Sequence, residues 1–234
     1  NGEFTHNLGS GRGQLTTQLQ GMEFHQNKSY FPRLIENWHH PFDLFAGQLD
    51  MNSKLTWDNS QLYVKGRLQL HDIGGFYDTN LFYGLNTEVQ IDGPLADIKV
   101  RAESFKVAKM DVGIEVKNVT MSLHSSLDNL HIADFQAELL GGTIGQKRIS
   151  YNWTQPKNTL LLELQGLQLS ELLELEPGIE GYGVLDGQLP LSIRADGISV
   201  IKGQIKARLP GGVIKYQSGQ SVSAAAASVG VGFA

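Results

Sequence analysis

Four short stretches hold residue types that could do chemistry. The first is "GYGVLDGQLPL" (181–191), with three glycines, one aspartate and a proline among alternating apolar residues. A loop that cradles phosphate sets glycine backbone ahead of a helix N-terminus. Here Gly187 leads into Gln188, Leu189, Pro190, Leu191, Ser192 and Ile193, which alternate as a strand does, and no Gly-Lys-Ser/Thr occurs. The stretch predicts a strand pair or a bent strand, with Asp186-Gly187 at a turn or bulge. The second is Trp38-His39-His40, the most metal-like cluster. Adjacent histidines do not face one way on a strand or a helix, and no third ligand stands at a suitable offset. Loop surface is the preferred reading. The third is "SELLELE" (170–176), with Glu171, Glu174 and Glu176. Two carboxylates across a cleft can serve as acid and base in glycoside hydrolysis. A solvated helix face explains the spacing equally well. The fourth, "GSGRG" (9–13), runs into the alternating "QLTTQLQ" and reads as a turn or linker. His71, His124 and His131 fall on the polar faces of strand patterns, and no Gly-x-Ser-x-Gly elbow is present. No catalytic residue, metal ligand or cofactor site is nominated.

The composition points the same way. The chain has 234 residues, enough for one large domain or two small ones. Its net charge of −5, from 19 basic and 24 acidic residues, gives no basic excess to attract nucleic acid. With no cysteine, disulfides and thiolate metal sites are excluded. Glycine is abundant at 27 residues, and glycine-punctuated short apolar runs are typical of β proteins. No run of about 18 apolar residues exists to form a spanning helix. The opening Asn1-Gly2-Glu3-Phe4 contains the Glu-Phe that a common cloning site encodes. Residues 1–12 therefore read as a cloning remnant or linker, and the sequence as a piece of a longer protein.

The elements follow from period-two alternation, which places successive strand side chains on opposite faces. In "QLYVKGRLQLH" (61–71), Leu62, Val64, Leu68 and Leu70 share a face, and Asp58-Asn59-Ser60 ahead of them predicts a hairpin turn. Leu81, Tyr83, Leu85, Val89 and Ile91 form a second face, and Val112, Ile114 and Val116 a third. The phase then switches to Val119, Met121 and Leu123, which predicts a β-bulge near Lys117-Asn118. Further faces are Phe135, Ala137 and Leu139; Leu160, Leu162 and Leu164; Leu185, Gly187, Leu189, Leu191 and Ile193; and Ile205, Ala207 and Leu209. Phe76, Tyr77, Phe82 and Tyr83 cluster around one connection. A short helix is expected within 167–178, with Ser170 as N-cap and Pro177-Gly178 as the stop. A second is expected near 31–40, and the Ala-rich tail, 217–234, is a helix start or disordered. Ten or more strands with turns every 8 to 15 residues suggest antiparallel connections.

Three stretches now carry a resemblance: "FQAELLGGTI" (135–144), "LQGLQLSELLELEPGIEGYGVLDGQLPLSI" (164–193) and "IKGQIKARLPGGVIKY" (201–216). Their order and spacing, with "GVLDGQLPL" and the closing Pro210, Gly211, Gly212, Ile214 and Tyr216, resemble the C-terminal region of the YdbH family. That family lies within the AsmA-like proteins of Gram-negative envelopes. The resemblance implies a bridge-like transporter of phospholipid across the periplasm, without a cofactor or enzymatic activity. It implies a mostly β fold, a long, strongly curved antiparallel sheet whose apolar groove holds acyl chains, with one to three short helices over 13–216. It also implies an inner-membrane anchor outside this sequence and, as partner, a small outer-membrane lipoprotein that adds strands to the sheet end.

The residues alone leave two readings open. A one-sided sheet must cover its apolar face with another layer or a ligand. The same stripes suit a closed β-core or a lipid groove. An interaction module that pairs strands through open edges is the alternative function. If the groove is the answer, its lining comes from Leu62, Val64, Leu68, Leu70, Leu81, Tyr83, Leu85, Val89, Ile91, Val112, Ile114, Val116, Phe135, Leu139, Leu160, Leu162, Leu164, Leu189, Leu191 and Ile205.

Overall fold

A computed structural model of the chain describes residues 1–25, 41–176, 178–194 and 197–216. Alternation becomes strand along nearly all of it. Ten strands come first: β1 (Gly2–Asn7), β2 (Arg12–Glu23), β3 (Phe42–Trp57), β4 (Leu62–Tyr77), β5 (Asn80–Pro94), β6 (Lys99–Asp111), β7 (Glu115–Ser125), β8 (Asn129–Leu139), β9 (Gly142–Asn152) and β10 (Lys157–Gln168). A short helix, α1 (Leu169–Leu173), follows. After it come β11 (Ile179–Tyr182), β12 (Val184–Arg194), β13 (Gly197–Val200), β14 (Gln204–Ala207) and β15 (Val213–Tyr216).

β1 to β10 pair in chain order, each antiparallel to the last, and β12 adds to β10. β13 pairs with Leu191–Arg194 and β14 with Leu185–Gln188, so both lie along the outer edge of β12. The result is one sheet of 13 strands with β1 at one edge and β13 and β14 at the other, and it is not closed. β11 and β15 form a separate two-stranded sheet.

Short-range chemistry sets the turns. The Asp58 carboxylate accepts hydrogen bonds from the Ser60 hydroxyl (2.7 Å), the Ser60 N–H (2.8 Å) and the Gln61 N–H (3.0 Å). These bonds, the Ser60 hydroxyl first, hold its carboxyl below the usual range and close the β3–β4 hairpin. Asn7 does the same work at the β1–β2 turn, accepting from the N–H groups of Gly9 and Ser10 at 2.9 Å each.

The register slips at many places. β3 and β4 shift around Ala46, β4 and β5 around Ile73, β7 and β8 between Lys117 and Thr120, and β10 and β12 between Leu164 and Leu167. Left-handed backbone marks several of these points, at Asp72, Asn118 and Asp134 among non-glycine residues. A bulge bends its strand and adds twist.

The expected bulge at Lys117-Asn118 is present, with Asn118 at φ 49°. Other expectations need correction. Residues 2–7 are not a linker but the edge strand β1, paired from Gly2 to Asn7 with β2. Asp186 and Gly187 lie in straight pairing with β14, and the bulge sits opposite them on β10. The Asp186 carboxylate accepts the Gly166 N–H of that bulge at 2.8 Å, so it braces an irregularity in the neighbouring strand. The N-cap of α1 is Gln168, not Ser170, because β10 runs directly into the helix and no side chain caps it. The 31–40 helix, the Trp38-His39-His40 cluster, Pro177 and the 217–234 tail lie outside the described residues.

Candidate functional site: an apolar sheet face

Directly opposed residues on neighbouring antiparallel strands share a face. Register therefore extends each strand's stripe across the sheet. Leu19, Met51, Leu68 and Val89 make one row, and Leu49, Leu70, Thr87, Phe105 and Met121 the next. A third row runs Ala137, Ile144, Leu164 and Gly187, with Ile205 at its end on β14. The apolar face is continuous over β2 to β12.

Three buried clusters lie on it. Phe24, Leu44 and Ile73 form the first, and Val107, Val119 and Ala137 the second; Phe82 and Leu85 pack against both. Leu164, Leu167, Leu169 and Leu185 form the third, partly under α1, with Leu172 and Leu173 against it. Each cluster draws on strands that are neighbours in the sheet, joined by Phe24 just past β2 in the first and by Leu169 of α1 in the third. Among the described residues, no second sheet closes over this face, and α1 covers only its β10–β12 end.

Most of the expected lining residues are on this face. Leu62, Val64, Leu68, Leu70, Val89 and Ile91 follow one another in register on β4 and β5. Leu85, Val116 and Phe135 pack at the second cluster, and Leu139 pairs with Val116. Leu160 pairs with Leu191, and Leu162 with Leu189. Ile205 lies at the open edge, 50% exposed.

Four residues are elsewhere. Phe82 belongs to the apolar clusters and stacks on Phe42 at 6.4 Å, so its neighbours Leu81 and Tyr83 point to the other face. Tyr83 meets the Phe45 ring edge-on at 5.5 Å, so the four aromatics of this connection do not form one cluster. The slip comes from Gly84 at φ 67°, which returns Leu85 to the apolar side. Val112 and Ile114 are not in a strand. They form the β6–β7 turn, where the Val112 N–H donates to the Ile114 carbonyl at 3.2 Å. Sequence reasoning missed Ile73, which is fully buried, along with Val107. The available signal was the polar pair His71-Asp72, which breaks the β4 alternation one residue before Ile73.

Polar atoms on the apolar face are few. The Thr17 and Ser53 hydroxyls bond each other at 2.6 Å. The Thr87 hydroxyl is buried with no hydrogen-bond partner among the described residues. A buried hydroxyl without a partner costs about 1–3 kcal/mol, and an isosteric apolar group removes that cost. Thr87→Val is therefore expected to raise unfolding stability by about 1 kcal/mol, read as a higher urea midpoint at unchanged slope.

The opposite face is polar and laced with exposed ion pairs. Arg67 and Glu88 lie 2.9 Å apart, with Gln69 and Gln90 also donating to Glu88. His71 stands 3.7 Å from Asp50, and His124 3.2 Å from Glu103. No group of three metal donors forms among the described residues. Glu171, in the first turn of α1, and Glu174, at its C-cap, are both exposed. Glu115 takes hydrogen bonds from Lys109 and Lys117, and these lower its pKa from an ordinary 4.5 to about 2. A carboxylate that gains a depressed pKa on folding adds stability above its unfolded pKa and loses it as the pH falls through the folded one. Unfolding stability is thus expected to fall with acid between pH 4.5 and about 2. In Glu115→Gln, the slope over that window should flatten in acid titrations of the urea midpoint.

A family model described as "YdbH-like: Intermembrane phospholipid transport protein YdbH" matches residues 1–234, the whole of this sequence. No curated protein and no solved structure matches the chain.

Proposed function

The chain belongs to the YdbH-like family, and on that premise we propose that its uncovered apolar face is a groove for phospholipid acyl chains. The segment works in the periplasm as part of a bridge that moves lipid between inner and outer membranes. The observation that supports this reading is an apolar face continuous across an unclosed sheet, with no second sheet over it among the described residues. Burial of apolar surface is worth about 25 cal/mol per Å2, so such a face calls for an apolar guest. Leu, Ile and Val rows hold a chain at similar free energy at each step, which suits sliding without chemistry. Headgroups stay in water.

The ends of the sheet have a role of their own. β13 and β14 are exposed edge strands that pair only with β12 among the described residues, and Ile198, Val200 and Ile205 on them are exposed. Such an edge accepts a further strand. In this proposal the added strand comes from a small outer-membrane lipoprotein, and an anchor elsewhere in the full protein holds the inner membrane. No described helix is long and apolar enough to cross a membrane. The alternative function, a strand-pairing module without lipid cargo, draws on the same edge.

Native mass spectrometry of the purified protein, followed by organic extraction, separates the two. Phospholipid at a defined stoichiometry supports the groove, and its headgroups name the cargo. A lipid-free protein that also takes up no added phospholipid removes the groove and leaves the strand-pairing module.

A further inference from the structure

β10 and β12 are direct neighbours, paired as far as Gln168 and Val184, yet the chain between them leaves the sheet. It forms α1 and β11 before it returns. Its two ends are tied where the Leu169 N–H donates to the Gly183 carbonyl at 2.9 Å. β11 is held in turn by β15, which follows the edge strand β14. α1 and this ribbon form a cap over one corner of the apolar face. Leu169, Leu172 and Leu173 pack there with Leu164, Leu167 and Leu185, and Ile144 and Leu189 adjoin them. The ribbon lies close on the helix because glycine faces it. A Cβ at Gly181 would stand 2.7 Å from Leu173 Cδ1, and one at Gly212 would stand 3.4 Å from Leu169 Cδ2.

The cap divides this end of the apolar face into two lanes. In the first, Leu164, Leu167 and Leu185 are 5%, 4% and 7% exposed in the cluster that α1 joins. In the second, Leu160, Leu191 and Val200 follow one another in register, outside that cluster, and Val200 is 55% exposed. The α1 leucines thus stand where acyl methylenes would lie in the first lane.

The cap is also built to come away. Five residues are too few for a helix that is stable alone, and no side chain caps the start of α1. A ribbon of two four-residue strands is marginal by itself. Because Gln168 and Val184 pair with each other, the cap can lift without breaking the β10–β12 ladder. Segments of this kind open locally at a lower free energy than the whole fold.

We propose that α1 with the β11–β15 ribbon is a displaceable plug: its leucines hold the first lane in the empty protein, and an entering acyl chain takes their place. The inference rests on the groove reading above. It adds a competition between cargo and the protein's own side chains at the β10–β12 end.

The test loads the whole chain, from mixed micelles, with a phosphatidylcholine that carries a diazirine at the end of one acyl chain. Peptide mass spectrometry then locates the labelled residues after illumination. The variant is L172S/L173S, with folding checked by circular dichroism and the urea midpoint. In the wild type, labelling at Leu164 and Leu185 should trail that at Leu160 and Leu191 by about fivefold, and in the variant the two lanes should label equally. Hydrogen exchange on the wild type gives a readout that needs no variant. The amides of Glu174 and β11 should exchange about tenfold faster than those of β10 and β12, and faster still once lipid is loaded. Equal labelling of both lanes in the wild type overturns the plug, as does a folded variant that labels as the wild type does. Lipid loading that leaves exchange at α1 and β11 unchanged makes the cap a fixed wall and overturns displacement, with the groove still standing. A wild type that takes up no lipid removes the groove reading itself.

Discussion

Gly47→Ala is expected to lower unfolding stability by about 3 kcal/mol, seen as a lower urea midpoint. Gly47 has φ 96° in the slipped stretch of β3, a conformation that L side chains rarely adopt. A Cβ there would stand 2.6 Å from both the Asp72 carbonyl oxygen and the Ile73 Cα. Both atoms are backbone of the neighbouring strand, so no side-chain rotation relieves the contact. The Gly47 carbonyl also accepts the Phe24 N–H at 2.9 Å, which fixes it from the other side. The apolar cluster depends on this approach, since Ile73 is its most buried member and Leu44 and Phe24 pack beside it. Gly113→Ala is the matched control. It has φ 90°, and nothing lies within 4 Å of its added Cβ. It should show only the conformational cost, about 1–2 kcal/mol. Equal losses in the two variants would mean that the close approach of β3 to β4 contributes nothing.

The sequence revealed much of this sheet, for reasons that differ by element. β4 was legible because Leu62, Val64, Leu68 and Leu70 alternate with polar residues, leaving one phase. The Asp58 turn was legible because its hydrogen bonds run to Ser60 and Gln61, two and three residues on. The slip at Asn118 was legible because polar residues on both sides expose a change of phase. The slip at Gly84 was hidden, since Leu81, Phe82, Tyr83 and Leu85 are all apolar or aromatic and either phase fits. Val112 and Ile114 misled for the same reason: a turn around Gly113 happens to space them as a strand would. That no second sheet lies over the apolar face among the described residues was beyond local pattern altogether. It depends on strand order, which decides whether two stripes face each other or continue one another.

Leu68→Asp is expected to reduce phospholipid loading by roughly fiftyfold while the sheet stays folded. Leu68 sits mid-row between Met51 and Val89, half-buried, with no helix above it among the described residues. Leu164 is the poorer probe. It is 5% exposed in the cluster partly under α1, so a charge there would disturb packing before it met any cargo. A carboxylate at 68 keeps access to water and so avoids the full penalty of a buried charge. An acyl chain crossing it cannot. If three methylenes are forced off the row, the loss is about 2.4 kcal/mol at about 0.8 kcal/mol each, which is the stated factor in affinity. Asn52→Asp places the same charge on the opposite face, in register with Arg67, and should leave loading unchanged. Lipid counted by native mass spectrometry in both variants, with matching circular dichroism, separates a groove on the apolar face from nonspecific adhesion. Equal loading in a folded Leu68→Asp protein would remove this row from the lipid path. Equal loss in both variants would instead point to charge, not position, as what lipid senses.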